Sequence, residues 1–133
     1  MRNIEIIGTG SYLPGEPISN EQLAEVFGRE VIWLSEMLGA RTRHFAIDLN
    51  SLELRSNESN ANMATQAAKL AIEDAGIDTQ SIDLIIMATS TPDYPFPATA
   101  LFVQEKLGLS DCCVMELRAG CGGMAQAFMI ATQ

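Results

Sequence analysis

The uninterrupted apolar run Leu84-Ile85-Ile86-Met87-Ala88 constrains the fold more than any other segment. A strand with one wet face alternates apolar and polar residues, whereas an unbroken run marks a strand covered on both faces, as in a parallel sheet between helices. The periodicity turns helical on either side. Met63, Ala67, Leu70, Ala71 and Ala75 share one helical face, and Gly76 is placed as the C-terminal cap. Beyond the run, Pro92, Pro95 and Pro97 make a stiff loop. Pro97 suits the first turn of a helix carrying Ala100, Val103 and Leu107 and ending at Gly108. Cys113-Val114-Met115 through Leu117 reads as a second strand, and Ala125, Ala127, Phe128, Met129 and Ile130 as an apolar helix. This alternation predicts an α/β chain with a layered sheet inside helices.

Upstream, Ile4-Glu5-Ile6-Ile7 predicts a strand that stops at Gly8-Thr9-Gly10, ahead of the turn-rich Pro14-Gly15. Ser19 with Gln22 is a capping-box signature, and Leu23, Val26 and Phe27 follow at helical spacing until Gly28. Val31, Leu34 and Leu38 predict another short helix, closed by Gly39. The polar stretch from Asn50 through Asn62 reads as a loop.

At 133 residues and 47% hydrophobic, the chain has the length of one ordinary domain and can bury a core. It has no apolar stretch of about 18 residues that would span a membrane. Arg2 followed by a short strand-like run is not a signal-peptide pattern. Three cysteines, odd in number and irregular in spacing, point to a reducing, cytoplasmic setting rather than a disulfide scaffold. A formal charge of -9 argues against nucleic acid or an anionic membrane as partner. It also makes docking of a strongly acidic protein harder. Arg29, Arg41, Arg43 and Arg55 fall in one stretch, as a local basic rim or as solvated surface arginines.

Chemistry concentrates at Cys121, in Glu116-Leu117-Arg118-Ala119-Gly120-Cys121-Gly122-Gly123-Met124. The strand and helix patterns on either side place it at a strand-to-helix junction, where backbone N–H groups and the helix dipole favour an anionic sulfur. Flanking glycines let a substrate carbonyl approach the backbone. The alternative is a small buried cysteine in a tight turn. His44 is the only histidine and thus the only imidazole base available to Cys121 within the chain. Lying ahead of Phe45, Ala46 and Ile47, it reads as a packed or hydrogen-bonded structural residue. Gly8-Thr9-Gly10 is no dinucleotide fingerprint, because Leu13 stands where the third glycine should be and no helix follows at once. Cys112, Cys113, Cys121 and His44 lack zinc-finger spacing, so no metal site is expected.

Four segments, in order, resemble the N-terminal part of the β-ketoacyl-acyl-carrier-protein synthase III family of the thiolase superfamily. They are Ile7-Gly8-Thr9-Gly10-Ser11-Tyr12-Leu13-Pro14; Trp33 followed by Gly39-Ala40-Arg41-Thr42-Arg43-His44; Asp83 through Ser90 with Pro95-Phe96-Pro97-Ala98; and Ala119-Gly120-Cys121-Gly122-Gly123. The resemblance implies a thiolase-like layered α/β/α fold and a decarboxylating Claisen condensation in fatty-acid synthesis. Cys121 would accept an acyl group from acyl-coenzyme A, a substrate, and a malonyl thioester on acyl carrier protein would then lose carbon dioxide and attack it. No metal or redox cofactor is implied. Within the superfamily, an acyltransferase or a condensing enzyme of specialised metabolism is the alternative. A non-catalytic folding or pairing domain is the alternative of another class.

The same resemblance assigns Trp33 to stacking on the adenine of coenzyme A, Phe96 to the acyl pocket of the partner subunit in a homodimer, and Met124 to a pocket position where a phenylalanine is common. Complete members are more than twice as long, with a catalytic His and Asn in their second half. Residues 1–133 are therefore expected to be an N-terminal domain truncated within the nucleophile helix, before the last strand of its own half and without the C-terminal half. Such a piece would expose apolar surface and lack condensing activity by itself. The family arginine that follows Trp33 across the adenine is replaced by Met37, which removes the cation. In a full-length protein carrying this segment, Met37→Arg should tighten acetyl-coenzyme A binding about tenfold, the scale of a ~1–2 kcal/mol stacking contact. Calorimetry would read the change, and an unaltered affinity would place the nucleotide elsewhere.

Overall fold

A computed structural model describes residues 4–27, 36 and 39–133. They fall into two units: Leu13–Ser59, and a larger one made of Met1–Tyr12 with Asn60–Gln133. In the smaller unit, β1 (Ile18–Ser19) pairs antiparallel with β2 (Thr42–Arg43), Ile18 opposite Arg43. Helix α1 (Asn20–Phe27) starts at the capping box. The Ser19 N–H donates to Gln22 Oε1 at 2.9 Å and the Gln22 N–H donates to Ser19 Oγ at 3.3 Å, satisfying helix-end donors reciprocally. Leu23 is its buried apolar residue. Buried Asn20 donates to Ala40 O at 3.1 Å and accepts from Arg43 Nη2 at 2.5 Å, joining α1 to β2. Gly28 and the short helix expected from Val31, Leu34 and Leu38 lie outside the described residues, as do Trp33 and Met37.

The larger unit starts with a departure from the sequence reading. Ile4–Ile7 forms no strand, having no ladder partner among the described residues, and Ile4, Ile6 and Ile7 are exposed. The chain instead crosses α2 (Asn60–Ala75) through Gly8 and Gly10. A Cβ at Gly8 would meet Ala71 O and lie 2.7 Å from Ala75 Cβ; one at Gly10 would strike Ala67 O. Between them the Thr9 N–H donates to Asp74 Oδ2 at 2.9 Å. The Gly-Thr-Gly triplet is thus a packing device that brings backbone against backbone.

Helix α2 also begins earlier than expected, taking Asn60–Asn62 from the stretch read as loop. The cause is distant in sequence. The Asp93 carboxylate accepts from the N–H groups of Asn60 (2.7 Å) and Ala61 (2.8 Å), supplying the N-terminal cap from another segment.

Strands β3 (Leu84–Ala88) and β4 (Cys113–Leu117) are parallel, in register from Leu84 opposite Cys113 to Ala88 opposite Leu117. Helix α3 (Thr99–Leu107) joins them and ends at Gly108, which takes the left-handed conformation at φ 71° as a C-cap. Ala61 and Thr65 of α2 and Thr99, Ala100 and Val103 of α3 are buried where the two helices pack. Helix α4 (Gly123–Ala131) lies against β3, with Gly123 so near that a Cβ there would come 2.8 Å from Ala88 Cβ. One expectation needs correction: β3 is not covered on both faces. None of its residues is fully buried and Leu84 is 41% exposed. Helix α4 covers it only partly, leaving an open apolar groove of about 530 Å³ lined by Leu84, Ile86, Met124, Ala127, Phe128 and Ala131.

Gly10→Ala should destabilise the chain by about 1–3 kcal/mol, since the new methyl meets helix backbone that cannot yield. Gly122→Ala, which points into open space, should stay within about 0.5 kcal/mol. Urea unfolding of the two variants would compare them.

Candidate active site

Parallel pairing puts the carboxyl ends of β3 and β4 on one side, the edge where open α/β sheets receive ligands. There β3 runs into the proline-rich loop and β4 into the turn holding Cys121. The Thr89 N–H donates to Leu117 O at 3.0 Å, tying the two exits together. Gly120–Gly122 forms a 3-10 turn, so Cys121 sits in the turn preceding α4 rather than in the helix itself. Gly120 has φ 52°, a left-handed conformation that a side chain would strain. Cβ atoms at Gly120 or Gly122 would meet nothing within 4 Å. Cys121 itself is exposed, which excludes the small buried cysteine.

The other thiols differ in place and environment. Cys112 is buried beside the opposite end of β4, and burial, then the neighbouring Cys113 charge, pushes its thiol up from the ordinary value. Cys113 is exposed but begins β4, at the end away from the loops. Among the described residues, no cluster of His, Cys, Asp and Glu could hold a metal ion. No described helix is long and apolar enough to cross a membrane.

His44 behaves as a structural histidine. Its Nδ1 lies 3.0 Å from Pro14 O and 3.1 Å from Gly15 O, two acceptors that call for an N–H at that atom. Phe96 is 88% exposed, so it does not plug the core of its own unit. The loop's other aromatic anchors it instead: the Tyr94 ring lies 5.7 Å from that of Phe102 on α3. Met124 is 68% exposed and lines the groove between α4 and β3; neither Cys121 nor Phe96 is among the described residues lining it.

Two carboxylates escaped the sequence reading. Besides Asp93, Glu116 on β4 has a side chain only 7% exposed and caps α3: Oε2 accepts from the Thr99 N–H at 2.7 Å and the Ala100 N–H at 3.4 Å. Its signal was visible as one acid inside the apolar run Cys113–Leu117, but its partner was not.

No family model matches the chain. Over 131 residues it is 41% identical to the β-ketoacyl-acyl-carrier-protein synthase III of Ehrlichia canis, covering 98% of this chain and 39% of that protein. It is 42% identical over 127 residues to that of Bradyrhizobium diazoefficiens, covering 96% of this chain and 36% of the relative. The chain has the sequence of the N-terminal part of the β-ketoacyl-acyl-carrier-protein synthase III family. It spans about 39% of the length of the first of these relatives. Solved structures agree on a thiolase-like fold. The synthase III of Aquifex aeolicus superposes with TM-score 0.81 at 36% identity, over 95% of this chain and 38% of that one. A tetronic acid condensing enzyme superposes with TM-score 0.81 at 35% identity, over 94% of this chain and 39% of that one.

Limited iodoacetamide at neutral pH should label Cys121 before Cys113 and leave Cys112 unmodified. Because Cys112 is shifted upward, its labelling should begin only at a pH above that of an ordinary thiol. Peptide mass spectrometry would rank them, and preferential labelling of Cys112 or Cys113 in the folded chain would remove Cys121 as the reactive thiol.

Proposed function

We propose that the chain is the acyl-accepting N-terminal domain of a β-ketoacyl-acyl-carrier-protein synthase III acting in cytoplasmic fatty-acid synthesis. The observation that carries this reading is the exposed Cys121 in an open glycine turn at the carboxyl ends of parallel strands. In the first step the Cys121 sulfur forms a bond to the acyl carbonyl carbon and the coenzyme A thiolate leaves. In the second, malonyl-acyl carrier protein loses carbon dioxide, the resulting enolate carbon attacks the acyl carbon, and the Cys121 thiolate is released. The Cys121 N–H is the chain's contribution to stabilising the oxyanion of each addition.

Trp33 is assigned to the adenine, Phe96 to the acyl chain across a homodimer interface, and Met124 to the apolar surface beyond the nucleophile. No metal or redox cofactor takes part, and a second half contributes the His and Asn that aim donors at the enolate. The exposure of Phe96 supports its role, since a lone loop aromatic serving its own core would be buried. The likeness to a tetronic acid condensing enzyme supports a second reading, condensation in specialised metabolism.

The 133-residue polypeptide alone should accept an acyl group on Cys121 from acyl-coenzyme A yet form no condensation product with malonyl-acyl carrier protein. Acylation needs mainly the nucleophile and an oxyanion site, whereas decarboxylation needs donors aimed at the enolate, and the chain's one imidazole, His44, has its Nδ1 turned to Pro14 O and Gly15 O. Intact-protein mass spectrometry should show the acyl adduct in the native chain and not in Cys121→Ser. Absence of any adduct would favour a non-catalytic pairing domain. Cys121-dependent condensation near full-length rates would overturn the assignment of the decarboxylating groups to a second half.

A further inference from the structure

The proline-rich loop is held at both ends by carboxylates, Asp93 and the 7%-exposed Glu116, and this determines where Phe96 stands. Ala98 is the N-cap residue of α3 and has no side chain to cap it, so the Thr99 and Ala100 N–H groups turn to Glu116. Thr99, fully buried, then accepts the Asp93 N–H on its Oγ1 at 3.1 Å. Asp93 in turn caps α2. Glu116 Oε1 faces Arg118 Nη2 at 3.5 Å, and that nitrogen also lies 3.4 Å from Pro95 O, beside Phe96. A single carboxylate on the strand leading to Cys121 thus reaches the loop by two routes, one buried and one at the surface. A charged acceptor serving buried N–H groups makes stronger bonds than a neutral one.

We propose that Glu116 is a positioning residue, which registers the Phe96 loop against the strand and turn that present Cys121. It touches neither the thiol nor the acyl group, and acts through Thr99 and Arg118. Its functional weight rests on the assignment of Phe96 to the acyl chain. Glu116→Gln keeps an oxygen for Thr99 but removes the charge, whereas Arg118→Gln removes only the surface route.

The test incorporates 4-fluorophenylalanine in place of Phe96 in the full 133-residue chain. Glu116→Gln should speed exchange of the Thr99 amide about tenfold and shift or broaden the fluorine line. Arg118→Gln should move the line and leave Thr99 exchange unchanged. In acylation of Cys121 by thioesters of increasing chain length, Glu116→Gln should raise the half-saturating concentration severalfold at an unchanged limiting rate. Faster Thr99 exchange with an unmoved fluorine line would make Glu116 a helix cap and nothing more. A moved line with unaltered acylation would equally overturn the proposal. Should Glu116→Gln fail to fold, half-exposed Arg118 decides, and an unmoved line in Arg118→Gln overturns it. If no variant, nor the native chain, acylates at all, the proposed function fails, while the fluorine spectra still decide whether Glu116 sets the loop.

Discussion

Parallel strands cannot be joined by a tight turn; the chain must travel back before the second strand begins. Everything notable about the larger unit follows from that requirement between β3 and β4. The return path is α3, and its cost is a helix N-terminus beside the carboxyl end of β3, with unsatisfied N–H groups. The benefit is that both strand exits open on one side. The proline-rich loop and the Cys121 turn are therefore neighbours by topology, before any side chain is considered.

Carboxylates placed at the helix starts solve the problem that this topology creates. An isolated ionised carboxylate in a low-dielectric interior is strongly disfavoured unless it is hydrogen-bonded. Asp93 and Glu116 each find two backbone N–H groups at a helix start, where the aligned dipoles also favour negative charge. The polar groups of the helix ends and of the acids satisfy one another. Small buried side chains, Ala61, Thr65, Thr99 and Ala100, leave the space for this close fit.

Which parts were legible in the sequence follows from how far each interaction reaches along the chain. The start of α1 is decided by residues three apart, Ser19 and Gln22, and was readable. So was the end of α3, where Gly108 acts on the turn just before it. The start of α2 was misplaced because its cap lies 33 positions away. Ile4–Ile7 has a strand's composition but no strand partner among the described residues, and propensity cannot supply a ladder. The run Leu84–Ala88 was correctly a parallel strand, while its coverage depended on how closely α4 approaches, which no local pattern encodes. At the site, the glycines around Cys121 marked the turn. The role of Glu116 stayed hidden because an acid in an apolar run names no partner.

The crossing of Gly8 and Gly10 over α2 has a consequence for the timing of synthesis. Thr9 and its acceptor Asp74 are separated by 65 positions, and the intervening Leu13–Ser59 forms a unit of its own. At ~5–20 residues per second, Thr9 waits roughly 3–13 s for the helix it will lie on. During that interval its isoleucines have only water or a chaperone to meet. The Gly8–Gly10 segment is thus made well before the helix it crosses and seated late, and a pause in translation before Asp74 would prolong that wait.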